Sequence, residues 1–267
     1  MRAILGIDAA WTEHEPSGVA LIHGDHEEWT AVSVAPSYDS FVAASKGVPV
    51  DWSTRKFAGS PPQIRELVEA ARRFTPAELC VVAVDMPMAT ISFETRREAD
   101  SAISKAFGGR GCATHSPNAA RPGTLGASLS RQLSAEGIPL ATTSHVHPGL
   151  PRAIEVYPHP ALLALLGRDY RVPYKVSKSI KYWKGTSIAE RIARLLVEFR
   201  EIQAALELSL GKVPIDLPGA EGVTTLSSLK SYEDALDAVV CAWVGMHFVN
   251  GTAAAYGDDV AAIWVPA

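Results

Sequence analysis

The chain is poor in cysteine. Among its 267 residues there are three, Cys80, Cys112 and Cys241, far apart and with no CxxC pair. Neither a disulfide framework nor a cysteine zinc site is indicated, and a reducing, cytoplasmic setting is the expectation. A run of about 18 or more apolar residues is also lacking, which argues against a membrane-spanning helix. The opening apolar stretch is too short for a signal peptide and meets a carboxylate at Asp8. A dominant charge is missing as well: 25 Lys and Arg face 29 Asp and Glu, for a net charge of −4. A nucleic-acid binder is usually basic overall. No internal repeat, low-complexity tract or clear linker divides the chain. We therefore expect one domain over 1–267, with insertions at about 88–150 and 168–229.

What is present is a normal share of core-forming residues, 47% hydrophobic, enough for a full core at this length. Charge is unevenly placed. From Arg168 to Arg200 nine basic residues stand against three acidic ones. Lys175, Lys178, Lys181 and Lys184 recur every third residue, with Tyr174, Tyr182 and Trp183 between them. Cations interleaved with flat rings could follow a nucleic-acid strand; a solvated surface face would look the same.

Apolar runs and alternation predict strands over 3–8, 18–23 and 28–35, the second and third forming a hairpin. Further strands are expected over 79–85 and 152–157, and a final one over 260–265. Helical spacing appears over 61–74, 93–107, 124–136, 160–167, 188–209 and 231–249. Segments 36–60, 108–123 and 211–229 read as loops. The class is α/β with a mixed sheet.

Carboxylates fall at repeated places in this layout. Asp8 ends the first strand, Asp85 the fourth, and Glu155 lies on the fifth. Asp234 and Asp237, three apart on the last long helix, share one face. Acids gathered at one sheet edge repel unless protonated or holding a cation. Oxygen-only ligands favour Mg²⁺ or Mn²⁺ over zinc. Each acid also has a plainer reading as a turn or cap residue, and Glu66 and Glu69 read as surface. His159, four after Glu155, is a candidate proton shuttle. His145 and His147 would join a metal site or simply face solvent. Cys112, His115 and Ser116 lack the strand-turn-helix setting of a nucleophile.

The blocks "LGIDAAW", "SGVALI", "VVAVDMP", "AIEVYPHPAL" and "DALDAVVCAWV", in this order, resemble the domain of unknown function 429 family. That family is regarded as a predicted nuclease of the RNase H-like fold, and the layout is similar to RuvC-type resolvases. The resemblance implies a mixed five-stranded RNase H-like sheet flanked by helices, with helical insertions. It implies metal ligands at Asp8, Asp85, Glu155, Asp234 and Asp237, with Asp8, Asp85, Glu155 and Asp237 catalytic. Arg97, Asp100 and Arg110, in the Arg-rich region after the fourth strand, would contact substrate, joined by Lys175, Lys178, Lys181 and Lys184. Two Mg²⁺ ions would then clamp the scissile phosphate of DNA or RNA.

Two other readings compete. An actin-like ATP-dependent kinase also begins with a strand acid and a hairpin. It needs a small, Gly-rich turn after that acid, where Ala9, Ala10 and Trp11 stand here; no Walker motif occurs. A catalytically inactive nucleic-acid-binding protein on the same fold is the third.

Overall fold

The structure is a computed structural model that describes every residue except 13, 27, 55, 119 and 146–148. His147 therefore lies outside the described residues. The strands are β1 (Arg2–Asp8), β2 (Gly18–Asp25), β3 (Glu28–Ala35), β4 (Glu78–Asp85), β5 (Arg152–Val156), β6 (Ala253–Gly257) and β7 (Ala262–Pro266). The helices are α1 (Tyr38–Ala44), α2 (Ile64–Phe74), α3 (Glu98–Phe107), α4 (Leu125–Ala135), α5 (Pro158–Leu166), α6 (Ser179–Tyr182), α7 (Ile188–Leu210) and α8 (Lys230–Val249).

Among the described residues these seven strands form one mixed sheet in the order β3-β2-β1-β4-β5-β7-β6. β1, β4, β5 and β7 run parallel, while β2, β3 and β6 join their neighbours antiparallel. The expected five-stranded sheet is thus corrected to seven. The chain end folds back as a hairpin, β6 and β7, that extends the sheet beyond β5. β6 reads Ala-Ala-Ala-Tyr-Gly, too small and too weakly alternating to register as a strand. The segment 36–60, read as a loop, contains α1. Ser37 caps it by accepting from the Ser40 amide at 3.1 Å, and Tyr38 and Phe41 bury its inner face.

Alternation along the strands sends side chains to two separate cores. Ala3, Leu5 and Ile7 of β1, with Val82 and Val84 of β4, pack with α1, α2 and α4. Ile4, with Val81 and Ala83, packs on the opposite face with α5, α7 and α8. α8 lies directly on β1. A Cβ added at Gly6 would stand 2.1 Å from the Ala238 carbonyl oxygen and 2.6 Å from the Ala242 amide nitrogen. Gly18 meets the Asp234 carbonyl in the same way, and Gly245 meets Ile4. The first turns of α8 therefore sit over the end of β1 that carries Asp8. The three cysteines are buried and unpaired. Among the described residues no helix is long and apolar enough to cross a membrane.

Candidate active site

Asp8 and Asp85 are partners in the parallel ladder of β1 and β4, at the last position the two strands share. Both continue the face of Ile4, Val81 and Ala83, so both turn toward α8. They open into a cleft of about 970 Å³. Both are half-buried, and among the described residues neither carboxylate takes part in a side-chain hydrogen bond or ion pair. Burial, and then the neighbouring Asp8, push the Asp85 carboxyl well above the usual carboxylate range.

α8 brings three more acids to this edge, all buried, but each arrives with a counterion. Asp237 accepts from the Tyr174 hydroxyl at 2.6 Å and from the Lys175 ammonium. Glu233 accepts from the Val176 amide at 2.6 Å and lies 3.1 Å from Lys230 Nζ and 3.3 Å from Lys175 Nζ. Asp234 accepts from Lys230. Burial lifts Asp237 to about 6 despite Lys175. Burial also lifts Asp234, helped by Asp8 and opposed by Lys230. For Glu233 burial is outweighed by the two lysines, which hold it below its ordinary value. Lys175 opposes its own burial through Asp237 and stays firmly cationic. Asp234, Glu233, Lys175 and Lys230 line the cleft, and Asp237 lies behind them.

Glu155 is placed differently. In the ladder it pairs with Val84, not with Asp85, and the pleat turns it to the sheet face opposite Asp8 and Asp85. There it accepts from Arg97 Nη1 at 2.6 Å, Arg97 Nη2 at 2.7 Å and the Met88 amide at 2.8 Å. Arg97 spends its other donors on Asp100 Oδ1, Asp100 Oδ2 and the Met88 carbonyl. All five guanidinium N–H groups are thereby used inside the protein. Arg97, 8% exposed, is a buried brace rather than the expected substrate contact, and the Glu155 oxygens are committed to that brace.

The expected basic contacts also separate. Lys175 turns inward to the α8 acids, and Lys178 lines the cleft. Lys181 and Lys184 are exposed and stand outside the cleft lining. Arg110 donates to the carbonyls of Arg168 and Asp169, tying two loops together away from the cleft. His159 lines the cleft, and His145 bonds within its own turn to Thr142. The sequence reading missed Glu233 as a buried partner, together with Lys230, Tyr174 and Arg171. Glu233 reads as an ordinary acid in a helix first turn, and nothing local marks its burial.

The donor set limits what cation could sit here. Among the described residues no three or more His, Cys, Asp or Glu side chains are grouped to hold a metal ion. Among the described residues of the cleft, Asp8 and Asp85 are unpaired carboxylates at one position of the β1–β4 ladder. Two carboxylates suffice for Mg²⁺ or Mn²⁺ when water and substrate phosphate oxygens complete the shell. The residues therefore fit one such ion at Asp8 and Asp85, and the lysines occupy the charge that a second would balance.

Together these features define an α/β protein with a mixed seven-stranded sheet and a carboxylate-lysine cleft at the ends of its parallel strands. The chain belongs to the family described as "Protein of unknown function (DUF429)", whose model matches residues 6–262. No curated protein and no solved structure matches it.

Proposed function

We propose that the chain is a divalent-metal-dependent nuclease, hydrolysing phosphodiester bonds of nucleic acid on an RNase H-like sheet. The observation that carries this reading is the in-register pair of unpaired carboxylates, Asp8 and Asp85, facing the acids of α8. The strand order β3-β2-β1-β4-β5, with β2 antiparallel to β1, supports the RNase H-like assignment.

In this reading Asp8 and Asp85 hold one Mg²⁺ or Mn²⁺ ion. When bound, the ion neutralises phosphate charge and acidifies a water. Lys175, fixed by Asp237 and Glu233, holds a second positive charge beside the carboxylates without a second ion. Lys178 and Arg171, on the cleft wall, draw the phosphate backbone in by charge and read no base. Glu155, held by Arg97, lines the same cleft and braces its floor.

The inactive alternative, nucleic-acid binding without cleavage, is favoured by one observation: Asp234, Asp237 and Glu155 are already paired. The kinase reading draws nothing from the turn after Asp8, which keeps its bulky Trp11. Calorimetric Mn²⁺ titration of wild type and Asp8→Asn, with folding checked by circular dichroism, tests the nuclease reading. It is followed by cleavage assays on structured DNA and RNA. We expect one ion bound in wild type, none in the variant, and cleavage only with metal and only in wild type. Full cleavage by Asp8→Asn, or no ion bound even with an oligonucleotide present, overturns it.

A further inference from the structure

The cleft has a second, basic corner. β5 passes directly into α5, so the first turn of α5 opens at the same sheet edge as Asp85. Tyr157 caps that helix without a side-chain hydrogen bond. Pro158 and Pro160 have no N–H and the Ala161 amide faces the Tyr157 carbonyl, so His159 carries the first-turn N–H group that has no partner within the helix.

Arg171 reaches this turn from the segment after α5. Its Nη2 donates to His159 Nε2 at 2.5 Å and its Nη1 to the Gly111 carbonyl at 3.3 Å. Among the described residues no carboxylate pairs with Arg171; its Nε is buried without a well-aligned hydrogen bond, and the buried Tyr182 hydroxyl lies beside the guanidinium. His159 is 4% exposed, and its Nδ1 is buried and equally unpartnered. Since Nε2 accepts from the guanidinium, the hydrogen-bond geometry assigns the ring proton to Nδ1. His159 is thus a neutral donor with nothing to donate to. A half-buried cation without a carboxylate and a buried orphaned donor both carry a cost. Both, like a helix N-terminus, are relieved by an anion.

We propose that this corner binds a phosphate group. Arg171 supplies charge and its Nε–H, His159 its Nδ1–H and its backbone amide, with Lys178 on the same cleft wall. Arg171 is half-buried and lines the cleft, and binding requires its side chain to turn the covered Nε toward the ligand. β5 is one strand from Asp85 and two from Asp8, about 5 to 10 Å at ordinary strand spacing. That is the scale separating neighbouring phosphates of one strand. The ligand is then either the phosphate next to the scissile one or a terminal phosphate. Only this choice of source rests on the nuclease reading; the binding itself does not.

The test uses the full chain in EDTA, without divalent ions or cleavage. Inorganic phosphate is titrated in, with calorimetry for affinity and histidine-ring ¹⁵N–¹H NMR as the site readout. We expect the His159 Nδ1–H resonance to move on binding. We expect Arg171→Met to weaken binding about tenfold or more, the loss of a charge-assisted contact. Lys178→Ala should weaken it less. If Arg171→Met does not fold, Arg171→Lys and the wild-type resonance still decide. An unmoved His159 resonance, or unchanged affinity in a folded Arg171 variant, overturns the proposal. Dinucleotides with and without a 5′-phosphate separate the sources. Tighter binding of the phosphorylated form names a terminal phosphate, and equal binding an internal one. Failure here leaves the metal titration of the nuclease reading untouched, and failure there leaves this site standing.

Discussion

Arg97 and Glu155, 58 residues apart, form a two-pronged ion pair beneath the sheet edge, with both side chains almost fully buried. Their pairing separates the role of Glu155 from that of Asp85, one strand away, although both acids stand near the ends of parallel strands. Glu155 is stabilised by a partner; Asp85 is held near another carboxylate.

The two should respond oppositely to mutation in the metal-free protein. Glu155→Ala strands a buried guanidinium and should lower stability by about 3 kcal/mol or more. Asp85→Asn relieves repulsion from Asp8 and should raise stability by about 1 kcal/mol. Urea denaturation in EDTA checks both. Equal destabilisation by the two variants would mean that they share one role.

Lys175 should behave as a stand-in for metal. Lys175→Met leaves Asp237 and Glu233 short of positive charge, and the metal-free variant should lose about 3 kcal/mol. Mn²⁺ should then raise its melting temperature more than it raises that of wild type, because binding to the folded state alone stabilises it. Equal shifts in the two proteins would show that lysine and metal do not serve the same carboxylates.

Gly6 sets how closely α8 approaches β1, and so where Asp234 and Asp237 stand over Asp8. A methyl group there meets backbone atoms of Ala238 and Ala242, which cannot turn aside as a side chain can. Gly6→Ala should cost about 3 kcal/mol, read by thermal unfolding. A fully stable variant would mean that the helix lifts without penalty.

His159 should make stability pH-dependent. Burial, then the charges of Arg171 and Lys175, hold its ring well below the ordinary histidine value of 6.5. The folded ring stays neutral while the unfolded one takes up a proton below that value. Stability is therefore full above about pH 6.5 and falls by about 1.4 kcal/mol per pH unit below it, until the folded ring also titrates. His159→Gln removes this slope. A difference between the two proteins that stays constant from pH 8 to 5 in phosphate-free urea titrations would rule it out.

Much of this was legible in the chain. The apolar runs ending at Asp8 and Asp85, and the long helix bearing Asp234 and Asp237, were read directly, because strand and helix periodicity is local. Parity alone goes no further. In β5 Ile154 and Val156 flank Glu155 and put it on the other face from theirs, but both faces are covered by cores, so only the register with β4 turns Glu155 away from Asp85. β6 was hidden because its small side chains carry no pattern, and its pairing with β7 supplies what they lack.

The sequence by itself determined the α/β order and which acids stand at strand ends, since backbone periodicity and burial are written residue by residue. Only the tertiary structure decided which of those acids are free. Lys175 reaches Asp237 across 62 residues and Arg97 reaches Glu155 across 58. A charge is neutralised by whatever lies within a few ångströms of it in space, and that distance is set by how α8, β5 and the loops pack together, not by spacing along the chain.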